Sequence, residues 1–242
     1  MTNNPQFQRP SFQFSARKSP LAITVGILVL IGVLFTALSG FYADWLWFKS
    51  VNFTNTWSTI LTTKATLFVV SGLLTAFIVM FNVLLAYKRR PLYVPMTVEA
   101  DNLERYRSQV EPIRRPLVIG LTIALFYFAG SAGSQMWSTW LLFKNSTPFG
   151  VTDPQFNMDI SFFAFRLPFW QTLISWGIST AILAILASVA VHYLYGGIRL
   201  QVQEDRTTVA ARVQLSVLLG LVVLLKAVAY WFDRYALALK ES

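Results

Sequence analysis

Three groups of side chains in this 242-residue chain are of kinds that do chemistry. The stretch Pro148 to Trp170, PFGVTDPQFNMDISFFAFRLPFW, carries Asp153, Asn157 and Asp159 ahead of Arg166. Oxygen donors so placed suggest calcium, but that ion takes six to eight oxygens and the spacing does not match the EF-hand ladder. The local uses are simpler. Asp153 before Pro154 favours a turn, Asp159 can cap a short helix, and Arg166 is that helix's only charged side chain. Asp153, Asp159 and Arg166 are therefore the expected interaction residues of this stretch. The second group is Lys226 within LSVLLGLVVLLKAVAYWF, with Asp233 seven residues on along nearly the same face. A lysine centred in a membrane costs about 2.5 to 3.5 kcal/mol, while each Leu or Val returns about 0.3 to 0.6 kcal/mol. Lys226 is expected to snorkel toward Asp233; the sharper alternative points it into the bundle, against an acidic group of another loop or subunit. The third is His192, the only histidine, which has no carboxylate or thiolate beside it and reads as structural or interfacial.

Other chemistries lack their residues. With no cysteine there is no disulfide, thiolate zinc site or cysteine nucleophile. No nucleophile–base pair, phosphate-cradling glycine loop or metal cluster is visible, so neither an enzyme nor a bound cofactor or metal is expected. The formal charge of +9 does not indicate nucleic acid, because the basic residues sit in short loops between apolar blocks rather than on one face of a soluble module.

What must position these residues is a membrane array. The chain is 55% hydrophobic and only 13% charged, with a mean hydropathy of +0.53, and its apolar residues run in blocks of the roughly 20 residues that a hydrocarbon layer demands. Five segments qualify: 21–41, 65–87, 116–136, 169–193 and 213–232. Each must be a helix, since inside hydrocarbon every backbone N–H and C=O needs a local partner. The expected fold is an all-α membrane protein, a bundle of about five transmembrane helices over residues 21–242 behind a flexible cytoplasmic tail, 1–20. Lys and Arg concentrate in the tail, the second loop (88–115) and the fourth loop (199–212), which places the N-terminus in the cytoplasm and the C-terminus outside. The apolar core of the first segment is too long for a cleaved signal peptide and is expected to stay as an anchor.

Within this array, DNLERYR predicts a short cytoplasmic helix from Asn102 to Val110, and Ile160, Phe163 and Leu167 predict an interfacial helix that Pro168 breaks before the fourth crossing. Trp45, Trp47, Trp137, Trp140, Tyr230 and Trp231 form an outer aromatic belt. The repeated WLxFK at 45–49 and 140–144 hints at a duplicated helix pair. Small residues at four-residue spacing, Ala129 with Gly133 and Gly177 with Ala181 among them, predict that the third and fourth helices are central.

The stretches PFGVTDPQFNMDISFFAFRLPF, RRPLYVP, LERYRSQVEPIRRP and YWFDRY together resemble the N-terminal membrane region of uncharacterised protein family 0182, large multi-spanning proteins common in actinobacteria. The resemblance implies a multi-pass protein of the bacterial plasma membrane whose relatives carry further crossings and a large extracytoplasmic region; it implies no catalytic residues. The expected function is a non-enzymatic structural or anchoring subunit of a larger membrane assembly, with the lipid bilayer and other membrane subunits as partners and no small-molecule substrate identified. A transporter or channel component is the alternative.

Overall fold

The structure, a computed structural model, describes residues 20–91, 98–199 and 206–237. The expected tail 1–20 lies outside the described residues except for Pro20, as does most of RRPLYVP. The helices are α1 (Pro20–Ser50), α2 (Thr54–Lys88), α3 (Val98–Ser134), α4 (Trp137–Lys144), α5 (Leu167–Leu194) and α6 (Val209–Ala236), with a π-turn, Phe162–Arg166, leading into α5. Among the described residues, five helical stretches are long and apolar enough to cross a membrane. They overrun the predicted crossings because a helix keeps satisfying its own backbone past the last apolar residue.

Two predicted breaks are absent. The short helix Asn102 to Val110 is the beginning of α3, which runs on through Pro112 and Pro116. Each proline removes one N–H from the ladder, but ties to neighbouring helices, Glu111 to Tyr87 and Tyr195 and Arg107 to the Leu194 carbonyl oxygen, hold it in line. Nor is there a separate interfacial helix before α5. The π-turn enters α5 without interruption, and Pro168 occupies the first turn of α5. Proline's ring normally collides with the carbonyl four residues back; the wider π-turn there, with its i to i+5 spacing, moves that carbonyl away.

The chain divides into two units, Met1–Ser58 and Thr59–Ser242. In the first, the described side chains of α1 are almost all exposed, as expected of a helix that is apolar all round and solvated by lipid. Asn52, in the left-handed region at φ 60°, turns the chain into α2, and Phe41 meets Trp57 edge-on at 5.0 Å.

In the second unit the rest of α2, then α3, α5 and α6, run alternately up and down. Val79 of α2, Ala184 of α5 and Leu218 of α6 form a buried core, with Leu125 of α3 beside it. The sequence favoured the third and fourth crossings as the centre; α5 holds that place, but its partner is α2, not α3. Gly130 and Gly133 of α3 close on α2. A Cβ on Gly72 would lie 2.6 Å from the Phe126 carbonyl oxygen, and one on Gly133 only 1.9 Å from Ser71 Oγ. Such backbone approach gains dispersion where lipid removes the hydrophobic drive.

Candidate functional site

The stretch around Asp153 and Asp159 is folded by its own carboxylates. Asp153 Oδ2 accepts from the amides of Gln155 (3.0 Å) and Phe156 (2.7 Å). Asp159 accepts from the amides of Phe149 (3.0 Å), Gly150 (2.8 Å) and Ser161 (2.8 Å). The Ser161 hydroxyl and these amides hold the Asp159 carboxyl well below the usual carboxylate range, against a small opposing effect of desolvation. Gly150 and Asn157 supply the positive φ angles that the two turns need, 74° and 53°. Beneath them Phe163, Leu167 and Tyr235 form a second buried cluster, while Ile160, expected on the same face, is exposed. Both carboxylates are thus engaged by backbone amides, and no set of three metal-ligating side chains occurs among the described residues. Arg166 is exposed.

Lys226 is exposed on α6. Its ammonium lies 5.8 Å from the centroid of the Tyr230 ring, one turn along, and no ion pair joins it to Asp233 among the described residues. The structure therefore turns Lys226 outward from this bundle, with an aromatic face in place of the expected carboxylate.

His192 is the least expected of the three. It is buried, its Nε2 is 3.0 Å from Gln214 Oε1, and Gln214 Nε2 in turn donates to Asn82 O (2.9 Å) and approaches Ser188 Oγ (3.2 Å). Three helices, α2, α5 and α6, are tied by this network. Nearby, Thr75 and Thr180 meet at 3.5 Å between α2 and α5. Sequence reasoning singled out His192 but missed Gln214 and Asn82. The available signal was that both are uncharged polar residues inside apolar runs, where an unpaired amide is costly.

At the same end of the bundle Glu111 of α3 accepts from Tyr87 Oη (3.0 Å), Tyr195 Oη (2.8 Å) and Arg114 (3.1 Å). Burial, with the bond and charge of Glu111, raises the Tyr195 phenol above its ordinary value. Arg90 stacks over Tyr87 at 4.1 Å and Tyr195 at 5.3 Å. This knot fastens the ends of α2, α3 and α5.

At the opposite end a fissure of about 520 Å³ opens between α2, α4 and α5. Thr62, Thr66, Thr139 and Lys144 line one end of it, and Val70, Leu74 and Leu173, themselves exposed, line the other. The Trp176 indole Nε1 is buried and without a partner. Its volume lies in the range of ligand pockets, about 300 to 1,000 Å³.

A sequence profile of the uncharacterised protein family UPF0182 matches residues 21–242. Among individual relatives, a UPF0182 protein of Streptomyces coelicolor is 45% identical over 94% of this chain and 23% of its own length. UPF0182 proteins of Thermobifida fusca and Rhodococcus erythropolis are 43% and 42% identical over 91% and 90% of this chain, each over 22% of its own length. The chain thus spans less than a quarter of these relatives, in their N-terminal region. No solved structure matches it.

Proposed function

This chain belongs to uncharacterised protein family UPF0182, and from that premise we propose that it is a non-enzymatic anchoring bundle of a larger assembly in the bacterial plasma membrane. One observation carries this reading. The groups that could do chemistry are engaged in the fold itself: Asp153 and Asp159 by loop amides, the Nε2 of the buried His192 by Gln214, and Glu111 by two tyrosines and an arginine. What remains for contact includes Arg166, Lys144 and Lys226, all exposed, and the exposed apolar surface. Lys226, the residue on which a transport reading rests, faces away from this bundle, where it suits a neighbouring subunit better than a path through these helices.

The orientation follows the basic residues: the Glu111 knot lies in the cytoplasm, and α4 with the Asp153 to Asp159 loop lies outside. A cysteine at Gln155 then reacts with an impermeant maleimide on intact cells and one at Ser108 reacts only after lysis; the opposite pattern overturns the topology. For the anchoring role, native gels of gently solubilised membranes are expected to show the chain well above its own 27.4 kDa, and Asp159→Arg, which unmakes the loop, to release it. Migration as a lone chain in detergent would contradict the proposal.

A further inference from the structure

We infer that the fissure between α2, α4 and α5 is a binding site for one anionic phospholipid, with the headgroup at Lys144 and an acyl chain running along the fissure toward Leu74. Three features converge on this occupant. The first is polarity along the length: threonine hydroxyls and Lys144 line one end, and aliphatic side chains line the other, the same ordering as the head and tail of a lipid. The second is length. From Thr62 to Leu74 along α2 is about 18 Å at about 1.5 Å per residue, close to the roughly 15 Å of one leaflet, half of a hydrocarbon core about 30 Å thick.

The third feature is charge. Lys144 is exposed at the polar end and has no carboxylate partner among the described residues, so a headgroup phosphate meets a cation that no protein group neutralises.

The test is native mass spectrometry of the chain released from nanodiscs of phosphatidylcholine containing a minority of phosphatidylglycerol. The wild-type chain is expected to retain one phosphatidylglycerol, enriched over its share of the bilayer. Lys144→Gln should cut that enrichment about fivefold, the effect of one basic residue at an anionic headgroup. Thr66→Trp should abolish the adduct by filling the fissure, whereas Lys226→Gln, on another face, should leave it unchanged; thermal unfolding of each variant distinguishes lost binding from lost fold. Equal retention of both lipids by the wild type, or a phosphatidylglycerol enrichment that Lys144→Gln leaves unchanged, would overturn the inference. So would release of the wild-type chain bare or as a dimer, which would assign the fissure to further polypeptide or to a second copy.

Discussion

Gln214 is the residue on which the buried polar network turns. Its amide answers His192, Asn82 and Ser188 at once, so replacing it by leucine orphans several buried groups together. Gln214→Leu should cost about 1 to 2 kcal/mol, read as a lowered Tm of the purified chain in detergent. Asp159 has a different signature because its carboxyl is held below the usual range. A depressed folded value means that its contribution is fully present above the unfolded pKa of about 4 and is lost as the pH falls through the folded value. The amide resonances of Phe149 and Gly150 should therefore stay fixed from neutral pH down to about 4 and move only below it. In Asp159→Asn that acid transition should vanish. Both carboxylates were visible in the sequence, and the capping role of Asp159 followed from its place before a helical run. The engagement of His192 did not, because Gln214 and Asn82 come from helices far away along the chain and only the fold brings them together.

Among the elements, the α2 to α3 seam depends on glycine at points of backbone contact. Gly72→Ala would set a Cβ 2.6 Å from the Phe126 carbonyl oxygen, a backbone atom that cannot rotate aside, so the helices must part. The expected cost is about 1 to 3 kcal/mol. Gly120 lies in the same α3 with nothing within 4 Å of an added Cβ; Gly120→Ala should instead stabilise by about 0.5 to 1 kcal/mol through helix propensity. Opposite shifts in Tm for two identical substitutions would locate the seam, and equal shifts would argue against it. Hydropathy made all five apolar helices legible, and small-residue spacing revealed that α3 and α5 pack. It could not reveal which helix each would meet. The α2 side of the seam, with Ser71, Gly72, Thr75 and Ala76 buried, was equally present in the sequence as SGLLTA. The continuity of α3 past Pro112 and of the π-turn past Pro168 was hidden for another reason: a local breaker was overruled by tertiary ties in one case and by a widened turn in the other.

At the scale of the whole molecule, the second unit has a close-packed interior in which polar groups of different helices meet one another, at Thr75 with Thr180 and at His192 with Gln214. An anchoring role needs such an interior to be dry; conduction through it needs water. The chain has no cysteine, so one introduced at a chosen depth reports without background. Thr180 is the position to probe, since it is almost fully buried where α2 meets α5. In Thr180→Cys, reaction with a small water-soluble maleimide should be undetectable in native membranes from either side and complete after denaturation in sodium dodecyl sulfate. Rapid labelling of that cysteine in native membranes would mean a hydrated path between the helices and would contradict the account.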